Sequence, residues 1–501
     1  MVNKFPAIHI QRWFYIFLII HVIAWTLAPT LVRFDLPLDA MEGTTWGHQF
    51  EWGYDKNPFM NAWLTAFAVK LDGMSGWGPY LFSQLSIAIA FWAIWRLGKK
   101  MLQPLYALIA VLLLEVVQYY NLHAIDFNDN TLEIGLWALT ILFFYQSLCK
   151  SNGTNWILTG VFAGLSMMTK YYTAMLLIPM GLFLLAYPEN RRHLTKTAFF
   201  GGVAAFLLIV LPHIVWLFSH DFVTIGYAVD RVSSPPTLWN HIFYPVQFAW
   251  QQFETFIPVI VLYVIFLARW RDSFKTLPAT SLEKEKTISL FDKRFLLFIG
   301  LGPFLLTVLL SAVMGMKLRA AWGQPLLSLW SILLLAWLQP FVTPKRFYRL
   351  LMTIFGLLII LVAGYCIALI RADEPSSANY PGKIIGAQLT NEWREKFHTP
   401  ATVIAGSRWL AGNIAFYSAD RPAVYIDWNK QLSPWINEKT LTQTGAIFVW
   451  DLSEDREISF EVIKKRFPQV EAAKTLRFAW LRNAAMQPVV IRVAFLPPQN
   501  K

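Results

Sequence analysis

Residues 198–218, AFFGGVAAFLLIVLPHIVWLF, contain no Asp, Glu, Lys or Arg, and His213 is their sole titratable side chain. At a helical rise of ~1.5 Å per residue such a run spans about 30 Å, the thickness of a bilayer's hydrocarbon core. Arg191, Arg192 and Lys196 precede it, and His220 and Asp221 follow it. A basic entry and a polar exit describe a transmembrane helix whose first end lies in the cytoplasm. Working outward, runs of the same kind lie near 13–32, 77–95, 101–119, 131–148, 155–169, 171–187, 251–268, 295–314, 321–338 and 350–370. The expected fold is therefore a polytopic α-helical membrane protein of about 11 spans.

Composition agrees. Of 501 residues 56% are hydrophobic and 15% charged, which excludes a soluble globule and requires most of the apolar mass to face membrane lipids. The net charge of +12 does not point to nucleic acid, because the basic residues form short clusters between apolar runs. Arg96, Lys99 and Lys100, then Arg191, Arg192 and Lys196, then the charged stretch 269–294, then Lys345, Arg346 and Arg349 occupy alternate loops with the basic N-terminus. The positive-inside rule makes that side cytoplasmic. Loops 33–76, 120–130, 219–250 and 315–320, and everything after Arg371, then face the periplasm of a bacterial inner membrane. The first apolar run lacks a small-residue cleavage site and is read as a retained helix. Cys149 and Cys366 lie near or inside spans and supply neither a disulfide framework nor a zinc-ligand spacing.

After residue 371 the long apolar runs end. Short β-rich runs (TVIAG, AVYI, AIFVW, VVIRVAF) alternate with the helical stretches KIIGAQLTNEWREKF and EISFEVIKKRF. Residues 372–501 are expected to form a soluble α/β domain attached to a membrane domain of residues 1–371.

Candidate chemistry concentrates in loops of one face. The first loop, FDLPLDAMEGTTWGHQFEWGYDKNPFMNAWL (34–64), gathers Asp35, Asp39, Glu42, His48, Glu51, Asp55 and Lys56 among aromatic rings. Asp39 and Glu42 are three apart, so on a helical turn both carboxylates share a face and could accept a proton or hold a cation. The second, YYNLHAIDFNDNTLEIGLW (119–137), carries Asp126, Asn128, Asp129 and Asn130 at the head of an apolar helix. Asn130 with Glu133 reads as a capping box, which leaves Asp126 and Asp129 to orient sugar hydroxyls or a metal. In the third, GMKLRAAWGQPLL (315–327), Lys317 and Arg319 run against the positive-inside rule, and a bound anion would explain them, as would snorkelling to lipid phosphate. PHIVWLFSHDFVTIGYAVDRV (212–232) adds His213, His220, Asp221 and Arg231. Glu115 and Lys170 stand near span ends, where an ionisable group is either functional or interfacial.

DAME followed by GYDKNPFMNAW resembles the first-loop signature of glycosyltransferase family 39 and related membrane GT-C transferases. FNDN…LW, TKY, PHIVW, KLRAAWGQPLL, YPG and AGSRWLAGNIAFY…RP look like further elements of the group, in order over nearly the whole chain. Similar proteins include protein O-mannosyltransferases and the aminoarabinose and galacturonic acid transferases of lipid A and its core. The resemblance implies a GT-C fold of about 11–13 transmembrane helices, with short helices beyond the eleven runs, a polyprenyl-phosphate-linked sugar donor and inverting transfer to a lipid or glycan acceptor outside the cytoplasm. By motif it makes Asp39 and Glu42 the acidic catalytic pair, Lys56 with Pro58 the basic and proline element, and Lys317 and Arg319 the late cationic loop. Phe59 stands where the second proline of that element belongs, after Asn57 and Pro58.

The expected activity is sugar transfer from polyprenyl phosphate to lipid A or lipopolysaccharide core. Asp39 or Glu42 would be the base or would hold a divalent metal cation. Lys317, Arg319 and Lys56 would hold the donor phosphate, and Asp126, Asn128, Asp129 and Arg231 would contact substrate. The rivals are a flippase of a lipid-linked sugar, a protein O-glycosyltransferase and a non-catalytic envelope assembly protein.

Overall fold

The computed structural model describes residues 7–150, 152–233, 237–268, 288–338, 342–452, 460–482 and 486–499. All eleven apolar runs fold as helix. Among the described residues eight helices are long and apolar enough to cross a bilayer: the first, α1 (Ala7–Val32), then Gly78–Met101, Asp129–Cys149, Thr197–Ser219, Asn240–Phe266, Leu290–Met314, Ala320–Leu338 and Pro344–Ile370. The runs near 155–169 and 171–187 make the shorter helices Gly153–Met167 and Tyr171–Ala186. Residues 269–287 of the charged stretch lie outside the described residues. Leu208, Val215 and Phe218, like Ile359 and Ile360, are exposed, because none of the described residues covers these lipid-facing stripes.

The run near 101–119 is not a straight span. Its two parts, Pro104–Leu114 and Gln118–Ile125, meet at 85°. Glu115 sits at the break, fully buried, paired with His21 Nδ1 at 2.7 Å and accepting from the Trp25 indole at 3.3 Å. Asn121 donates to the Glu115 carbonyl at 2.5 Å. A broken helix inside an apolar bundle persists only where its freed backbone groups and polar side chains find such partners.

The first loop is not irregular. It folds as α2 (Leu38–Gly47) and α3 (Met60–Leu71), which pack on each other before α4 (Gly78–Met101). Helix α5 (Pro104–Leu114) and α6 (Asp129–Cys149) follow.

Beyond the last span the chain forms a five-stranded sheet of order β2-β1-β3-β5-β4: β1 (Val403–Gly406), β2 (Ala423–Ile426), β3 (Ala446–Asp451), β4 (Lys474–Phe478) and β5 (Val489–Leu496). β1 pairs parallel to β2 and β3, and β5 pairs antiparallel to β3 and β4. The expected strand runs become β1, β2, β3 and β5. β4, KTLRF, carries no such signal because it is an edge strand with mostly exposed side chains, including Lys474 and Arg477.

The helix Arg408–Tyr417 packs against α2 and joins this unit to the first loop. At that seam the Tyr417 hydroxyl donates to Asp35 Oδ1 at 2.9 Å. Burial pushes the Asp35 carboxyl up to about 7, against the opposing pull of Tyr417, the Leu36 N–H and Arg33, and its Oδ2 has no partner. The folded chain keeps this proton over a range in which an exposed Asp, pKa ~3.9, has lost it. Stability contributed by Asp35 therefore falls as pH rises from about 4 through about 7 and is level above that. Asp35→Asn should flatten this slope when thermal unfolding of the detergent-solubilised chain is followed at pH 5 and pH 8; an unchanged slope would place the dependence elsewhere.

Candidate active site

The site is assembled by two loops that cap and bind each other. Helix α2 starts after Pro37, which has no side-chain oxygen to cap it. The cap arrives from the second loop, where Asp126 accepts the backbone N–H of Asp39 at 3.3 Å and of Ala40 at 3.0 Å. Asp126, expected to touch substrate, is thus committed to holding α2. Burial pushes its carboxyl up to about 8, nearby Asp39 adds to this, and the two N–H donors and Arg33 oppose it. Asn128 caps α6 by accepting from the Thr131 N–H at 3.1 Å and donates to Asp39 Oδ2 at 3.0 Å.

The expected cap at Asn130 is corrected, because the extended backbone of Asn128 puts the helix start earlier. Asn130 instead accepts from Lys170, whose ammonium lies 5.4 Å from the Trp322 ring centre. Glu133 closes no capping box; it is buried and accepts from the Thr173 hydroxyl at 3.0 Å. Asp129 accepts from Asn57 at 3.0 Å, a second tie between the loops.

Between these ties lies a partly buried charge network. Glu42 Oε1 accepts from Lys56 Nζ and from Arg408 Nη1, each at 2.6 Å. Arg408 also grips Asp55 with both terminal nitrogens, at 3.2 and 2.7 Å. Its guanidinium lies 5.2 Å from the Trp46 ring centre, and Lys56 lies 6.0 Å from the same ring. The Asp55 side chain is 4% exposed, Glu42 12%, Arg408 17% and Lys56 28%. Burial pulls the Arg408 pKa down, but Glu42 and Asp55 together outweigh it and hold the guanidinium charged. Two carboxylates and two cations so close offset one another's desolvation.

Arg408 lies in the AGSRWLAGNIAFY element but is not among the site residues expected from the sequence. Ser407 caps its helix, so the position reads as an ordinary helix start, and only the fold brings it across more than 350 residues to Asp55 and Glu42.

The DKNP element is a tight turn, with the Tyr54 N–H donating to the Asn57 carbonyl at 3.0 Å and Gly53 bridged to Pro58. Phe59, in place of a second proline, packs against Trp52 and Trp63. A side chain at Gly53 would strike His213 and Trp216. His213, on the span Thr197–Ser219, contacts this turn at the Trp52 carbonyl, 2.7 Å away, and the Tyr171 hydroxyl at 2.5 Å. His220 stacks on Trp216 and its Nδ1 lies 2.8 Å from the Trp216 carbonyl oxygen, and Asp221 is exposed.

Lys317 and Arg319 stand exposed on the segment between Leu290–Met314 and Ala320–Leu338, and neither side chain makes an ion pair among the described residues. The Lys317 N–H donates to the Val232 carbonyl at 3.3 Å, which brings this segment beside exposed Arg231. The Tyr227 ring lies 5.9 Å from both the Arg231 guanidinium and Lys56 Nζ, so it links the exposed cations to the charge network. Glu115 lies apart, at the break of the bent span.

The expectation that Asp39 and Glu42 share a metal ion meets a different arrangement. Asp39 turns to Asn128 and Glu42 to two cationic side chains. Among the described residues no group of three or more His, Cys, Asp or Glu is gathered as for a metal. Lys56 and Arg408 both occupy Oε1 of Glu42, and two cationic side chains so close oppose a metal ion there. What the arrangement offers is an exposed carboxylate, Asp39, oriented beside a held pair of positive charges, with three further cations open to an anionic ligand.

Comparison with known proteins agrees with this architecture. Residues 56–216 match the profile of the dolichyl-phosphate-mannose-protein mannosyltransferase family. The chain is 21% identical over 446 residues to the lipopolysaccharide core galacturonosyltransferase RgtA of Rhizobium johnstonii, covering 86% of this chain and 85% of that one. It superposes on ArnT from Cupriavidus metallidurans bound to undecaprenyl phosphate with a TM-score of 0.62 at 14% identity, over 97% of this chain and 98% of that one. For the apo state of that protein the TM-score is 0.58 at 12% identity, over 96% and 98%. The chain is therefore a multi-span membrane protein with an ArnT-like GT-C fold, carrying over residues 56–216 a domain that matches the dolichyl-phosphate-mannose-protein mannosyltransferase family.

Proposed function

We propose that this chain transfers a sugar from a polyprenyl-phosphate donor to lipid A or lipopolysaccharide core on the periplasmic face of a bacterial inner membrane. The observation that carries the reading is the placement of Asp39, one oxygen held by Asn128 and the side chain exposed, beside the Glu42–Lys56–Arg408–Asp55 network and the open cations Lys317, Arg319 and Arg231. The undecaprenyl phosphate in the ArnT structure and the core acceptor in the name of RgtA support the donor and acceptor classes.

In this mechanism the acceptor oxygen attacks the anomeric carbon as the bond to the polyprenyl phosphate breaks on the opposite face, inverting the centre. Asp39 takes the proton of a hydroxyl acceptor; an acceptor phosphate, already ionised, needs only to be oriented. Negative charge grows on the departing phosphate and is met by Lys317, Arg319 and Lys56, pre-set cations that need little reorganisation. Glu42 and Asp55 keep Lys56 and Arg408 in place. Asn128, Asp129 and Asp126 act through the loops they hold.

One feature favours the flippase reading: a broken span with the buried His21–Glu115 pair at its bend is the sort of element transporters use. Both side chains are fully enclosed, which speaks for a structural role.

Asp39→Asn should lower transfer about 10²–10⁴-fold for a hydroxyl acceptor with the protein still in the membrane, read by mass spectrometry of envelope lipids from complemented deletion cells. Near-wild-type modification would remove Asp39 from the mechanism, and lost modification with the unused donor retained inside would point to transport. Arg408→Ala leaves Asp55 and Glu42 short of a cation and should cost about 3–5 kcal/mol in the thermal stability of the purified chain. Arg408→Lys should recover only part of this, since an ammonium cannot grip Asp55 with two nitrogens. Equal stability of all three proteins would show the network to be dispensable.

A further inference from the structure

A second cavity, of about 760 Å³, opens on the C-terminal unit and is not used by the mechanism above. Trp409, Trp480 and Tyr380 line it together with Asp451, Arg477 and Gln487, and Leu38 at the start of α2 joins them. Its place in the fold is informative. In the order β2-β1-β3 the chain leaves β1 toward neighbours on both sides, and the crevice outside the carboxyl ends of strands at such a switch point is where open α/β sheets bind ligands. Trp409 follows β1, while Asp451 ends β3 and Leu452 follows it. The cavity therefore occupies that crevice, and its volume lies within the ~300–1,000 Å³ of small-molecule sites.

The lining has a definite chemistry. Tyr380 stands edge-on to Trp480, with ring centres 5.8 Å apart, and lies 5.5 Å from Trp409. The Trp480 indole donates to the Gln487 carbonyl at 3.0 Å, and the next residue, Leu481, donates its N–H to the Asn379 carbonyl at 3.1 Å. These ties fix the aromatic wall. Such a wall suits the C–H face of a pyranose ring, whose hydroxyl edge would then meet Asp451 and Gln487. Arg477 is exposed and makes no ion pair among the described residues, so its planar fork is open to a carboxylate or phosphate.

The cavity also adjoins the reaction centre. Trp409 follows Arg408, which holds Glu42 and Asp55, and Leu38 precedes Asp39. A glycan seated here would reach the carboxylate of Asp39 without crossing the bundle.

We propose that this crevice is a binding subsite for an anionic oligosaccharide, stacked on Trp480 and Trp409 and held at its acidic group by Arg477, and that it delivers the acceptor to Asp39. The delivery role rests on the transferase reading; the glycan subsite stands apart from it.

The test uses the full chain in nanodiscs without donor, titrated calorimetrically with the oligosaccharide released from lipopolysaccharide by mild acid. Carboxyl-reduced and dephosphorylated forms of that probe, and neutral maltoheptaose, are run beside it. Saturable binding is expected, weakened at least tenfold by Arg477→Ala or by Trp480→Ala, two changes at exposed or half-buried positions away from the charge network. Maltoheptaose should bind at least tenfold more weakly. Whichever modified form loses affinity identifies the group that Arg477 meets. In transfer assays Arg477→Ala should raise the acceptor KM tenfold and leave kcat and the donor KM unchanged. Absent binding by the wild type, or equal binding by both variants, overturns the subsite. Binding that depends on Arg477 in a chain that transfers nothing keeps the subsite and overturns the transferase reading.

Discussion

Arg408 is the interaction on which the rest of the site depends. A guanidinium bound to Asp55 through two nitrogens and to Glu42 through one does three things at once. It offsets the charge of two partly buried carboxylates, it sets the orientation of Glu42 toward Lys56, and it fastens the C-terminal unit onto the first loop. Because the fork is planar, this geometry specifies one relative placement of α2 and the Arg408–Tyr417 helix. The C-terminal sheet is thus a structural part of the membrane-side site.

A second constraint shapes the membrane layer. Polar groups there need partners inside the chain, and the structure meets this at Glu115, where a span breaks and His21, Trp25 and Asn121 converge on the gap. The same economy governs the loop face, where Asp126 caps a helix that its own sequence leaves uncapped and Asn128 serves both α6 and Asp39. The polar knot is spent on holding loops together, and the side chains left open, Asp39, Lys317, Arg319 and Arg231, are correspondingly few.

This division between holding and open residues separates an orienting scaffold from the groups available to ligands. The scaffold's charges are paired and largely withdrawn from water. The open cation Arg231 meets the scaffold through the Tyr227 ring, which it shares with Lys56, and the aromatic crevice of the sheet is lined by Leu38 and Trp409, the sequence neighbours of Asp39 and Arg408.

The bilayer's demand for long apolar runs is a local property, so the eleven apolar runs that fold as helix were legible in the sequence, as were the strands β1, β2, β3 and β5 with their buried apolar residues; α2 and α3 of the first loop were not. The edge strand β4 was not, because an exposed strand need not be apolar. The site was legible as a set of loops: Asp39, Glu42, Lys56, Lys317 and Arg319 stand out by charge where charge is unexpected. Which of them pair was decided only in three dimensions. Capping depends on where a backbone turns, so Asn128 and not Asn130 took the helix start, and Asp126 went to a helix in another loop. Arg408 stood inside the AGSRWLAGNIAFY element, but nothing local to it gave its role. Its importance comes from two carboxylates brought to it by packing, and electrostatic pairing over more than 350 residues of chain is a property of the tertiary structure alone.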